Sequence, residues 1–261
     1  MNARTAEAPL AAPARPRPTA SRDALSPQSA WAAQDISARL RILKRARHIL
    51  AGRASQLADA LPSTLARTRA DTLAAEVLPL LAACKFLEQN APRILRTRKL
   101  GRRGVPFWLA GLQSSIERVP LGTVLVIGPA NYPLFLPGVQ ALQALAAGNA
   151  VVWKPGLGGK GVAEIVAESL LHAGLPQGIL RVSGESPADG IAEMQRHPDK
   201  VFFTGSASAG REVLRTAADS ATPVPSAEVD EVLWVTTADA GRCPPAGVRT
   251  LELLAAADLV D

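Results

Sequence analysis

Residues 119–154 constrain the fold more than any other stretch of this chain. They read VPLGTVLVIGPANYPLFLPGVQALQALAAGNAVVWK. A short β-branched apolar run at 123–127 stops at Gly128-Pro129. Asn131-Tyr132-Pro133 follows, and Pro133 suits the first turn of a helix, where its missing N–H is not needed. An apolar helical stretch then runs to Gly148-Asn149, a pair that ends helices. A second buried strand at 150–153 leads into Lys154-Pro155. The pattern predicts one β-α-β unit with an Asn and a Lys at the carboxyl ends of two parallel strands. Ligands bind in that crevice in open α/β sheets.

The alternation continues. Strands are expected near 123–127, 150–153, 179–183 and 200–203, and helices near 133–147, 160–172, 187–196 and 206–218. A fifth strand is expected at 233–236. This order predicts an α/β, doubly wound parallel sheet of Rossmann type with helices on both faces. A helical segment precedes it. Asp35 opens a first helix whose apolar stripe is Ile36, Leu40, Leu43 and Leu50, with Arg39, Arg41, Lys44, Arg45 and Arg47 on its other faces. A second helical region spans 63–89 with Leu65, Leu73, Val77, Leu80, Cys84 and Leu87 on its stripe. Pro79 inside it implies a kink or break. Residues 90–106 read as an exposed connector and 107–117 as strand-like. The organisation expected is a disordered Ala/Pro/Arg-rich tail at 1–30, a helical segment and connector at 31–110, a nucleotide-binding domain at 111–240 and an atypical tail at 241–261.

Composition excludes several classes. Hydrophobic content of 48% is that of a globular body. No apolar run reaches the roughly 18 residues that span a bilayer. The chain opens without the charged and apolar regions of a secretory signal. Its Arg-rich, acid-poor start has the makeup of a transit peptide, but its prolines oppose an amphipathic helix. Cys84 and Cys243 are the two cysteines, without metal-ligand or disulfide spacing. The expectation is a reducing cytoplasm, with no membrane and no metal. Cys84, on the helical stripe, reads as a small buried hydrophobe. The charge is uneven. Residues 1–103 carry 19 Lys/Arg and 7 Asp/Glu, and the rest is net acidic. Solvated helix faces explain this better than nucleic acid does, because no aromatic residues interleave with the basic run.

Three ordered motifs carry a resemblance to a known family: PLGTVLVIGPANYP at 120–133 with ALAAGNAVVWKP at 144–155, then AGLPQG at 173–178, then VFFTGS at 201–206 with Gly210. Together they resemble the cofactor-binding half of the aldehyde dehydrogenase superfamily. The resemblance is continuous over about 118–221. It implies NAD or NADP as cofactor, an aldehyde as substrate and a homo-oligomer formed through the helical and arm segments.

The resemblance also implies roles at matching positions. Asn131 would donate its side-chain amide to the oxyanion formed when a thiolate attacks the aldehyde, a fixed dipole aimed at developing charge. A turn or capping Asn is the alternative. Lys154 would hydrogen-bond an adenosine ribose hydroxyl. Ile127, Gly128, Pro129 and Gly184 fall where the family lines its cofactor. Gly205, Ser206 and Gly210 precede and open a helix whose N-terminus suits a pyrophosphate; ordinary capping by Ser206 is the alternative. The sequence departs from the family after Lys154. The family continues Lys-Pro-Ser-Glu, whose acid also holds the ribose, whereas this chain reads Lys154-Pro155-Gly156-Leu157. That leaves NADP open, with Lys160 in reach of a 2′-phosphate.

The catalytic end matches less well. In the family a Glu-Leu-Gly-Gly-like motif supplies the general base. Here Glu228 falls one residue late and both glycines are absent. Cys243, in AGRCPP, is a weak match to the family nucleophile, with too short a gap after Ser206. A truncated or frameshifted gene would give such an end. The expected function is an aldehyde dehydrogenase-like oxidoreductase, with this chain supplying the cofactor half and little aldehyde oxidation alone. The alternative is a non-catalytic nucleotide- or partner-binding module.

Overall fold

Asn149 shows how this sequence closes its first β-α-β unit. The computed structural model describes residues 26–101 and 114–219. In it the Asn149 side chain accepts from the N–H groups of Leu121 (2.6 Å) and Gly122 (3.1 Å) and donates to the Ala144 carbonyl (3.1 Å). One amide thereby ties the start of strand β3 (Thr123–Ile127) to the end of helix α6 (Phe135–Ala146). Gly148, at φ +91°, makes the left-handed turn that this helix end requires.

The helical segment comes first. It comprises α1 (Pro27–Ala32), α2 (Ile36–Gly52), α3 (Ala54–Asp59), a 3-10 turn (Ser63–Leu65), α4 (Arg69–Thr72), a π-turn (Leu73–Val77) and α5 (Leu78–Leu95). Two short strands, β1 (Arg98–Gly101) and β2 (Ser114–Ile116), pair antiparallel. Then come β3, α6, β4 (Ala150–Lys154), α7 (Lys160–His172), β5 (Leu180–Val182), α8 (Pro187–Met194), β6 (Lys200–Phe203) and α9 (Ala207–Asp219). The last four strands form one parallel sheet in the order β5-β4-β3-β6.

The two sheet faces divide the core. Val124, Val126, Val151 and Trp153 face α6, α7, α2 and α5, in one large buried cluster. Leu125, Ile127 and Val201 face the other way, toward Met194 of α8 and Ala217 of α9. Period-two alternation therefore sends Ile127 to the α8/α9 side. Register pairs Ile127 with Lys154, two residues beyond Val152, so Lys154 belongs to that side as well.

Several expectations shift. Residues 26–30, read as part of a tail, cap and start α1: Ser26 accepts from Ser29 N–H, and Trp31 is buried with its indole N–H on the Leu145 carbonyl at 3.0 Å. Arg39, read as an outward cation, is buried and donates to the carbonyls of Ala146 (3.0 Å) and Ala32 (3.1 Å). The region 63–89 is not one helix. Pro79 lies in the first turn of α5, and the π-turn stands directly before it, where the hydrogen-bond ladder loses an N–H. Helix α5 then runs through Asn90 to Leu95, inside the expected connector, and β1 follows. Of the stretch 107–117, the described part includes β2. The expected strand at 233–236 lies outside the described residues.

Cys84 sits between α2 and α5, fully buried, and burial pushes its thiol up to about 12. The thiol is therefore covered and protonated at mildly alkaline pH. Iodoacetamide should leave the Cys84 peptide unmodified in native protein and label it in denaturant, as read by mass spectrometry. Equal labelling in both conditions would contradict the α2–α5 packing.

Candidate functional site

In chain order the four parallel strands run 3-2-1-4 across the sheet, so the order reverses between β3 and β6. Loops leave such a switch point in opposite directions and open a crevice. A cleft of about 720 Å³ lies there. Its rim is the β3–α6 turn, with Gly128, Pro129, Ala130 and Asn131. Ile127 and Lys154 form its floor, Pro187, Gly190, Ile191 and Met194 of α8 one wall, and Phe203 to Ser206 with the inner face of α9 the other.

The structure thus brings together Ile127, Gly128, Pro129, Asn131, Lys154, Gly205 and Ser206. Gly184 and Gly210 do not line the cleft. A Cβ on Gly184 would stand 2.2 Å from the Asp189 carboxylate, and one on Gly210 would stand 3.2 Å from the Phe203 ring. Both are close-packing positions behind the lining. Glu228 and Cys243 lie outside the described residues. Tyr132 and Trp153, read as packing residues, also do not line the cleft.

Lys154 is 8% exposed. Burial lowers its ammonium below the usual lysine range, and the carboxylates of Asp189 and Glu185 pull it back. Its Nζ donates to the Glu185 carbonyl at 2.7 Å. The remaining two N–H groups are available to a ligand. At the opposite wall, Ser206 Oγ accepts from Ala209 N–H at 3.3 Å and so caps α9. The first N–H groups of α9, on Ala207 and Ser208, have no partner within the helix. Gly205 rests on Phe203, where a Cβ would come within 2.6 Å of the ring. Asn131 is exposed, and its side-chain amide makes no hydrogen bond to another described residue.

The rim is held from outside the sheet, by two residues that the sequence reading did not single out. Glu76, on the π-turn, is completely buried. One carboxylate oxygen accepts from the N–H groups of Phe135 (2.8 Å) and Leu134 (3.2 Å), and the other from Arg67 Nη1 (2.9 Å). Arg67 Nη2 donates to the Asn131 carbonyl at 2.9 Å, and the guanidinium lies 4.3 Å from the Tyr132 ring centroid. Glu76 thus caps α6 from 58 residues away. This explains why α6 begins at Phe135 and not at Pro133: the cap comes from another element. The pair brackets Pro133 and sets the backbone on which Asn131 stands.

Burial raises the Glu76 carboxyl above the usual carboxylate range, against the Phe135 N–H, the Arg67 guanidinium and the Leu134 N–H. A raised folded-state value favours the folded state below the unfolded value, and that advantage is lost as pH rises through the folded value. Chemical denaturation across the acidic-to-neutral range should show this slope in the wild type and lose it in Glu76→Gln. Arg67→Ala strands a buried carboxylate and should cost about 3 kcal/mol at neutral pH. A cost within error of zero would mean that the pair does not hold the turn.

With this geometry in hand, comparison with known proteins is informative. The model of the aldehyde dehydrogenase family matches residues 5–229. The chain is 33% identical over 195 residues to a 4,4′-diapolycopene aldehyde oxidase of Methylomonas, covering 74% of this chain and 36% of that protein. It is 36% identical over 193 residues to the betaine aldehyde dehydrogenase of Agrobacterium fabrum C58, covering 73% and 38%. It therefore spans little more than a third of those relatives' lengths. Among solved structures, substrate-bound AldH of Staphylococcus aureus superposes with a TM-score of 0.64 at 27% identity, over 73% of this chain and 41% of that one. A Sinorhizobium meliloti 1021 structure, assigned as a methylmalonate-semialdehyde dehydrogenase and complexed with NAD, superposes at 0.65 and 28%, over 76% and 39%. A family match across most of the chain, joined to a cleft at the switch point of its sheet, places this protein in the aldehyde dehydrogenase family.

Proposed function

We propose that the cleft binds a nicotinamide dinucleotide, NAD or NADP, and that the chain supplies this cofactor site to the oxidation of an aldehyde. One observation carries the reading: the parallel sheet brings the Asn131 turn, the Lys154 amine and the α9 N-terminus into one crevice. The donor set fits the group. Lys154 offers two N–H groups to ribose hydroxyls. The Ala207 and Ser208 N–H groups and the positive end of α9 suit a pyrophosphate. The apolar walls, with Ile191, Met194 and Val213, suit a flat base. The NAD held by the related Sinorhizobium protein supports the same reading.

When bound, NAD(P) accepts the hydride that an aldehyde carbon gives up on oxidation. In this reading Asn131 is the oxyanion donor. Arg67 fixes its backbone, and the Asn131 side-chain amide bonds to no other described residue and so is available to an oxyanion. The base and nucleophile roles considered for Glu228 and Cys243 remain assignments from sequence. Self-association through the helical and arm segments belongs to the same proposal.

Isothermal titration of the chain with NAD+ and NADP+ tests the reading. Saturable binding of at least one is expected, weakened about tenfold in Lys154→Ala, the usual loss for one charge-assisted hydrogen bond. Circular dichroism confirms that the variant folds. No binding of either nucleotide, or unchanged binding in the folded variant, would overturn it.

A further inference from the structure

The reading above leaves the ribose 2′ position undecided, because Leu157 stands where an acid would hold a 2′-hydroxyl. The fold brings an acid to the same place from another loop. Glu185 follows Gly184 in the connection from β5 to α8. Its Oε2 accepts from the N–H groups of Gly158 (3.0 Å) and Lys160 (3.2 Å), which lie just past Leu157 at the start of α7. Its backbone carbonyl accepts from Lys154 Nζ at 2.7 Å. Glu185 is half-buried and borders the cleft beside Lys154 without lining it, and it grips both the amine proposed to serve the ribose and the helix end next to it.

This arrangement disfavours a phosphate in two ways. A helix N-terminus with exposed N–H groups is the usual seat for one, and here a carboxylate already takes the Gly158 and Lys160 N–H groups. The local charge is also acidic. Lys154 lies near the carboxylates of Asp189 and Glu185, Lys160 lies near Asp189, and Lys160 is further paired with Glu164 at 3.8 Å. Two cations among three carboxylates leave no positive surplus for a dianionic group. A 2′-hydroxyl is neutral and can donate to a carboxylate. We infer that Glu185 is a specificity-determining residue that makes this cleft select NAD over NADP. The inference rests on the cofactor reading and narrows it.

Titrations of the wild type, Glu185→Ala and Glu185→Gln with NAD+ and NADP+ test it. The wild type should bind NAD+ at least about tenfold more tightly than NADP+. Glu185→Ala frees the helix end and removes the charge, and should shift the ratio toward NADP+ by about tenfold or more. Glu185→Gln keeps an acceptor for the same N–H groups without the charge, and should shift the ratio in the same direction by less. Equal or tighter NADP+ binding by the wild type, or an unchanged ratio in both folded variants, overturns the inference while leaving the cofactor reading intact. Failure of the wild type to bind either nucleotide overturns both.

Discussion

The buried carboxylate of Glu76 is the constraint on which the rest of the structure leans. Removing a charge from water is costly unless every lone pair finds a donor. Glu76 offsets much of that cost with an arginine and two backbone N–H groups that α6 cannot satisfy for itself. The exchange binds three parts of the chain at once. The π-turn fixes where Glu76 emerges, Arg67 carries the contact to Asn131, and α6 starts where the carboxylate permits. Because α6 packs against both β3 and β4, its starting point also sets how the rim of the cleft stands over the strand ends.

From that fixed rim, strand register does the remaining placement. Val124 and Val126 face one core, and Leu125 and Ile127 the other. A slip of one residue would exchange these faces and turn Lys154 away from the cleft. The register is held at the far end by Asp199, whose carboxylate accepts from Thr123 N–H at 2.8 Å, and by Asn149. A Cβ on Gly122, at φ +126°, would lie 2.2 Å from that same carboxylate, so the bond to β3 depends on a bare backbone there. Positions remote from the cleft thus decide what lines it.

Much of this was legible in the sequence, and the reason is locality. The four parallel strands, their helices and the Gly148-Asn149 helix end follow from patterns read over a few residues. So do Asn131 and Lys154, which simply stand at strand ends. What escaped reading depends on partners distant in sequence. Arg39 looks like one more cation on a basic helix, yet it serves carbonyls at Ala32 and Ala146. Trp31 is buried because α1 lies against α6, where the Leu145 carbonyl accepts its indole N–H from 114 residues away. Glu185 follows a glycine that was singled out, but nothing local says that its carboxylate turns back onto α7. The motif departure at Leu157 was visible; what stands beside it was not, because two loops meet only after the sheet has formed.

Among the described residues the two sides of the sheet differ in what they bury. The face covered by α6, α7, α2 and α5 buries 29 residues, among them Trp31 and Trp153, in one cluster. Among the described residues the face bearing the cleft buries Leu125, Ile127, Met194, Val201 and Ala217, the last from α9. Regions with few buried apolar contacts open at lower free-energy cost than the core. The floor of the cleft is made by β3 and β4, the same strands that carry the larger buried cluster on their other face. A ligand seated there would gain orientation from Lys154 and the Asn131 turn, whose positions are fixed by hydrogen bonds. The orienting groups are thus held by bonds of the fold itself, which do not depend on what occupies the cleft.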